Sequence, residues 1–186
     1  MSLRNRIVLV LAVLALPLTA PHAGERAASL YQLHERLLNQ DGKPIDLDVY
    51  RGRKVLVTMF YGSCQATCPL IIDTLRAIER KADPLQRDEL RVLLVSFDPE
   101  RDTPGALREI AATRHIDTTR WTLAHADPSA VRRIAAALGI QYRKLPDGQF
   151  SHSTIISVLD AGGGITRQSA DIGRADPELV SVINAK

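Results

Sequence analysis

The sequence predicts an α/β fold: a mixed sheet flanked by helices and entered through an N-terminal β-hairpin. Three observations predict it. Lys54 to Tyr61 and Arg91 to Phe97 are nearly unbroken apolar runs without polar alternation, so both faces of each strand must be covered. Segments with apolar residues at helical spacing lie between and after these runs, as crossovers between parallel strands require. A third strong run, Ser153 to Leu159, is followed by a tight turn at Ala161 to Gly164 and a further extended segment, Ile165 to Ser169.

The chain has 186 residues. Residues 1–23 read as an export signal: Arg4 and Arg6 precede the apolar stretch Ile7 to Leu16, which Pro17 breaks. That core is shorter than the roughly 20 residues of a membrane span. Cleavage after Ala23 fits, although Pro21 is a poor residue at the −3 position; the alternative is an uncleaved anchor extending toward Ala20. Either way residues 24–186 are expected as one extracytoplasmic, periplasmic domain, where thiols tend to oxidise and need a dedicated reductant. Of the 24 Lys and Arg residues, Arg4 and Arg6 belong to the leader, leaving 22 against 21 acidic residues and a charge near +1. Aromatic residues make up 4% of the chain and interleave with no basic run, which argues against nucleic-acid binding.

Tyr31 to Leu38 alternates loosely, Asn39-Gln40-Asp41-Gly42 is a turn signal, and Pro44 to Leu47 resumes extended structure, which together predict the hairpin. From Pro69 the residues Leu70, Ile71, Leu75 and Ile78 recur at helical spacing up to Lys81, and Asp83-Pro84 is expected to end that helix. After the second buried run, Asp98 to Pro104 is a polar loop, with Thr103 as N-cap and Pro104 at the first position of a helix reaching about Arg114. Trp121 to Ala124 is a short strand, Asp127 caps a helix from Pro128 to Leu138, and Gly139 stops it. Ile140 to Lys144 is extended, Pro146-Asp147-Gly148 turns the chain, and Asp176-Pro177 opens a short terminal helix.

Chemistry concentrates in two cysteines, Cys64 and Cys68, the only ones in the chain. They follow the first buried strand directly and open the helix after it, which is the thioredoxin way of presenting reactive sulfur. Three residues separate them, where the thioredoxin redox motif has two. With both in the first helical turn, the i and i+4 positions would place the sulfurs on one face. Such a pair can close a disulfide, hold a soft metal ion as two thiolates, or simply be buried.

Of the five histidines, His22 falls beside the leader, and His34, His115 and His125 read as structural or exposed residues. His152 differs. It stands just before the strand Ile155 to Leu159, which in a thioredoxin-like sheet pairs beside the strand leading into Cys64. Two thiolates and an imidazole form a soft set suited to Cu(I), or to Cu(II) with an added weak ligand. Zinc would ordinarily take a fourth ligand or a water.

Three blocks, Cys64-x-x-x-Cys68-Pro69, Val95-Ser96-Phe97-Asp98-Pro99-Glu100-Arg101-Asp102-Thr103-Pro104 and Phe150-Ser151-His152-Ser153, occur in one order and at fitting spacings. Together they resemble the Sco (SenC) family of copper-binding, thioredoxin-like proteins, from about Tyr31 to Ile172. The lead-in, Gln40 to Pro44 and Tyr50 to Arg53, is similar as well. The resemblance implies copper held by Cys64, Cys68 and His152 in the service of cytochrome c oxidase assembly. The implied partners are the oxidase subunit with the dinuclear copper centre or another copper acceptor, a copper donor protein and a thiol reductant. Asp98 matches the family's acidic residue near the metal loop, and ordering of the turn before Thr103 is an equal reading of it. Where the family often has Pro after the first cysteine and an acidic residue between the two, this chain has Gln65, Ala66 and Thr67. Loss of a nearby negative charge should lower the thiol pKa values and alter partner recognition more than coordination.

Two functions from different classes follow. A metallochaperone would pass copper from Cys64, Cys68 and His152 to an acceptor by ligand exchange. A thiol–disulfide oxidoreductase would use Cys64 and Cys68 alone as its catalytic pair, one attacking a partner disulfide and the other resolving it. His152 discriminates between them, because a dithiol reductase has no need of a distant imidazole.

Overall fold

The computed structural model describes residues 29–64 and 67–185, with the side chains of Thr67 and Cys68 left aside. The leader and His22 lie outside the described residues. Ser29 opens a 3₁₀ turn, Leu30–Leu33, and strand β1 (Arg36–Asn39) follows, paired with β2 (Pro44–Asp46) as the expected hairpin. Gly42, at φ +74°, supplies its left-handed position. Tyr31 to Leu33 is therefore turn, not strand. The Ser29 hydroxyl accepts the Tyr31 N–H, and the buried Tyr31 ring packs so closely on Gly163 that a Cβ there would lie 2.5 Å from it.

A second 3₁₀ turn, Leu47–Tyr50, leads to β3 (Val55–Phe60), every residue of which is buried. Helix α1 (Thr67–Lys81), a short α2 (Pro84–Glu89) and β4 (Arg91–Ser96) come next. Asp83-Pro84 thus ends one helix, as expected, and also opens another that the apolar pattern does not announce. Proline at the first helical position is pre-set for the turn it begins. Then follow α3 (Pro104–Thr113), β5 (Trp121–His125) and α4 (Pro128–Ala137). The chain closes with β6 (Tyr142–Lys144), β7 (Phe150–His152), β8 (Ile156–Leu159), β9 (Ile165–Ser169) and α5 (Pro177–Asn184). Thr103, Asp127 and Asp176 cap α3, α4 and α5 through their side chains, each with proline next in the chain. Gly139, at φ +69°, stops α4 as expected.

Seven strands form one mixed, thioredoxin-like sheet in the order β2-β1-β5-β4-β3-β8-β9. β3 is parallel to β4 from Val55↔Arg91 to Phe60↔Ser96, and antiparallel to β8 from Val55↔Leu159. The two parallel crossovers, β3 to β4 and β4 to β5, move the same way along the sheet, so right-handed connections place α1 and α3 on one face. The Arg76 guanidinium on α1 accordingly donates to the carbonyls of Arg114 and His115 at the end of α3. Helix α5 packs against α1 and β9. The strand expected from Ser153 starts at Ile156 instead. Residues before it form β7, which pairs with β6 in a separate two-stranded sheet, Tyr142↔His152 to Lys144↔Phe150. Among the described residues, no helix is long and apolar enough to cross a membrane.

Candidate metal centre

The carboxyl end of β3 delivers the chain into the loop Tyr61-Gly62-Ser63-Cys64. The Cys64 N–H donates to the Tyr61 carbonyl at 3.3 Å, closing a turn before α1 begins at Thr67. Cys64 therefore precedes the helix, whereas the backbone of Cys68 lies in its first turn. The expectation of both cysteines within one helical turn is corrected: the Tyr61–Cys64 turn takes up the first of them. Cys64 is 8% exposed.

A buried carboxylate clamps this loop. The Gly62 N–H donates to Asp102 Oδ2 at 2.8 Å, and the Ser96 hydroxyl, at the end of β4, donates to the same oxygen at 2.5 Å. A Cβ on Gly62 would lie 2.6 Å from both Asp102 Oδ1 and Ile110 Cδ1, so glycine is required for the approach. Burial pushes the Asp102 carboxyl above the ordinary 3.8, against the opposing effect of the hydrogen bonds from Ser96 and Gly62. Asp98 orders the turn between them. Its N–H donates to Ser96 Oγ at 2.9 Å, its carbonyl accepts from the N–H groups of Arg101 and Asp102, and its buried carboxylate pairs with Arg101.

Arg101 carries the construction across to the histidine. Its guanidinium also donates to the Gly148 carbonyl in the β6–β7 turn and lies 6.0 Å from the centre of the Phe150 ring. The hairpin seats on an aromatic cluster in which Phe97 stacks on Tyr142 at 5.3 Å and Phe150 stands 5.1 Å from Phe97. His152 closes that cluster. Its ring lies 5.0 Å from Phe97 and 5.9 Å, edge-on, from Tyr61, three residues before Cys64. Nδ1 is 3.2 Å from the Ser153 carbonyl oxygen, which can only accept. In the neutral ring this contact favours the proton on Nδ1 and leaves the Nε2 lone pair open for a metal.

The structure thus brings His152 to the Cys64 loop through Tyr61 and leaves His34, His115 and His125 apart. His34 and His115 are exposed turn residues at φ 50°, and His125 Nδ1 lies 3.1 Å from the Asp102 carbonyl. Among the described residues, which exclude the Cys68 side chain, no three His, Cys, Asp or Glu side chains group around a common point. The Ser96–Asp102–Gly62 clamp and the Arg101 tie escape sequence reasoning. Their only linear trace is a glycine two residues before Cys64 and a second aspartate four residues after Asp98.

A buried strand feeding a cysteine at the mouth of a helix, in a mixed sheet of this order, defines a thioredoxin-like fold. The chain belongs to the SCO1/SenC family, whose model matches residues 24–184. It is 28% identical over 83 residues to the SCO1 protein homolog of Bacillus subtilis, a match covering 45% of this chain and 42% of that one. The solved structure of Bradyrhizobium japonicum ScoI with copper bound is similar with a TM-score of 0.66 and 20% identity, over 80% of this chain and 94% of that one. The structure of BsSco, described as carrying a disulfide switch and as a member of the Sco family of cytochrome c oxidase assembly proteins, is similar with a TM-score of 0.65. It is 22% identical over 80% of this chain and 87% of its own.

Proposed function

We propose that this protein is a copper metallochaperone of cytochrome c oxidase assembly, exported across the cytoplasmic membrane, that takes copper as cargo on Cys64, Cys68 and His152. One observation carries the reading: a hairpin outside the main sheet sets His152 against Tyr61, beside the loop of Cys64, with its Nε2 open. A dithiol reductase has no use for that imidazole. The donor set fits copper, since two sulfurs and one imidazole make a soft, low-coordinate site. The copper-bound ScoI relative supports the cargo, and BsSco's description supports the destination. Residues 1–23 serve as the export signal or an anchor, and residues 24–186 form the working domain. Because the thiols must lose protons, binding strengthens as pH rises.

Thiol–disulfide exchange at Cys64 and Cys68 is a second reading, favoured by the cleft beside Cys64 and by the disulfide switch described for BsSco. Copper titration of the reduced protein and of His152→Ala separates the two. The chaperone reading expects one copper per wild-type chain and an affinity lower by about 100-fold or more in the variant, since a direct ligand is lost. Equal affinities and spectra would leave the cysteine pair acting alone, as an oxidoreductase.

A further inference from the structure

The end of the sheet away from Cys64 holds a cavity that the copper reading does not use. Arg91 opens β4 beside Val55, the first residue of β3, whereas the Cys64 loop leaves β3 after Phe60. The six residues of β3 put about 17 Å between the two ends. There a cavity of about 280 Å³ lies between the Leu47–Tyr50 turn and the starts of β4 and β5. Its polar lining is guanidinium and hydroxyl, from Arg53, Arg91 and Arg120 with Tyr50, Thr119 and Thr122, and no carboxylate contributes to it.

The three arginines are not equal. Arg120 is committed to Asp117 at 3.1 Å and to the buried Glu79 at 3.4 Å. Arg53 pairs with Glu89 at 3.3 Å, but the two side chains are 41% and 72% exposed, where such a pair contributes little. Among the described residues Arg91 pairs with no carboxylate. Its Nη1 donates to the Asp88 and Leu90 carbonyls, which leaves the N–H groups of Nε and Nη2 without a protein acceptor. Burial and then repulsion by Arg53 push the Arg91 guanidinium below its ordinary pKa, and the pull of Glu89 is weaker than that repulsion. The Tyr50 hydroxyl is a second unused donor. The residue is 6% exposed, and the hydroxyl makes no hydrogen bond among the described residues. Burial raises the phenol to about 12, so it keeps its proton; Thr122 and Arg91 lie near enough to oppose that shift without being placed to hydrogen-bond it. A buried donor left unmade costs stability that a bound acceptor restores.

We propose that this cavity binds a phosphate-type oxyanion, held by the Arg91 guanidinium and the Tyr50 hydroxyl, with Arg53 as the second cation. The donors come from three separate elements and approach from different directions. That suits oxygens at the corners of a tetrahedron better than the two coplanar oxygens of a carboxylate. Two sources offer the group: phosphate in solution and the headgroup of an anionic phospholipid. The path of the chain gives a reason for the second. The Leu30 N–H donates to the Gly163 carbonyl and the Gly52 N–H to the Ala161 carbonyl. The residues that follow the leader therefore enter the domain beside the Tyr50–Arg53 segment, where Val49 is 60% exposed.

The test titrates copper-free residues 24–186, which contain every described element, with sodium phosphate and follows backbone amide shifts. Binding at about 1–5 mM, as befits so small a ligand, should move Tyr50, Arg91 and Thr122 and leave Gly62 and Cys64 in place. Tyr50→Phe should weaken it about tenfold and Arg91→Gln by at least about as much, since each removes a hydrogen bond to a charged group. Arg132→Gln, at an exposed arginine of α4, should leave it within about twofold. The same four proteins are sedimented with vesicles of phosphatidylcholine alone and of equal parts phosphatidylcholine and phosphatidylglycerol. Binding to the anionic vesicles only, lost in Arg91→Gln, reduced in Tyr50→Phe and kept in Arg132→Gln, assigns the site to a lipid headgroup. Saturable phosphate binding without it assigns the site to the free ion, and either result carries the proposal. Saturation with neither ligand, or equal losses in all three variants, would overturn it. If Arg91→Gln does not fold, Tyr50→Phe decides the matter, because it removes only a hydroxyl without a partner and should unfold in urea no earlier than the wild type.

Discussion

The two regions that meet at the candidate centre are built by different physics. The Cys64 loop is fixed from beneath: a backbone N–H and a hydroxyl converge on one oxygen of Asp102, which is 3% exposed, and Gly62 leaves no space between them. The His152 hairpin is hung on the outside. It shares no ladder with the main sheet and is held by aromatic contacts, by Arg101 at the Gly148 carbonyl, by an exposed Lys144–Glu100 pair and by the Tyr61 hydroxyl donating to Gln149. The turn that carries Cys64 is therefore pre-formed, and the imidazole side opens at lower cost. On the proposed chaperone reading, the difference would make His152 the ligand whose contact is adjusted.

The harshest way to break this asymmetry is to fill the space the clamp leaves empty. Gly62→Ala puts a methyl group 2.6 Å from a buried carboxylate oxygen and from the Ile110 side chain. Overpacking of this kind costs about 2 kcal/mol or more and should move the loop. Urea unfolding should show the loss, while amide exchange across the β6–β7 pairs should stay at the wild-type rate. Wild-type stability in Gly62→Ala would mean that the clamp is loose.

What the sequence reveals of these two regions follows from how local each determinant is. The caps at Thr103, Asp127 and Asp176 act within three residues, and each is legible from its own short stretch of chain. The identical Asp83-Pro84 pair reads only as a stop, because no apolar periodicity follows it to announce α2. His152 can be singled out because strand order alone carries the segment after it beside β3. The clamp cannot: Gly62 and Asp102 are forty residues apart, and nothing local says that a carboxylate in a polar loop turns inward. The same holds for the buried Glu79, which accepts from Trp121 Nε1 at 3.0 Å and pairs with Arg120 at 3.4 Å. Nor does helical spacing fix where a helix starts, which is why the spacing predicts Cys64 inside α1 rather than before it.

A gentler change sharpens the description of the clamp. The folded protein holds a proton on Asp102 to higher pH than the unfolded chain, because burial raises its carboxyl above 3.8. A group shifted in this direction contributes stability that is full below the unfolded value and is lost as pH rises through the folded one. Asp102→Asn removes that titration while keeping an acceptor for the Gly62 N–H, at a cost of about 1 kcal/mol for the altered Ser96 contact. Urea midpoints from about pH 4 upward should fall more steeply in the wild type than in the variant. Parallel profiles would mean that Asp102 is ionised in the fold like any exposed aspartate.

The smallest effect belongs to the hairpin and is the most telling about it. Tyr61 touches both regions: its backbone closes the Cys64 turn, and its hydroxyl donates to Gln149 Oε1 at 2.9 Å, with Phe150 and His152 against its ring. Tyr61→Phe keeps the ring and its packing and removes the hydroxyl's part-buried hydrogen bond to Gln149, worth about 0.5–1.5 kcal/mol. The loss falls on a hairpin with few other polar ties, so it should appear as local opening. Amide exchange at Tyr142 to Lys144 and Phe150 to His152 should quicken by roughly two- to tenfold, the kinetic equivalent of that energy. Global unfolding should shift by no more than the same amount, and exchange in β3 and β4 should not change at all. Equal acceleration in β3 would show that the hairpin and the Cys64 loop open as one unit, and the contrast between a built-in Cys64 turn and a hung imidazole would fall.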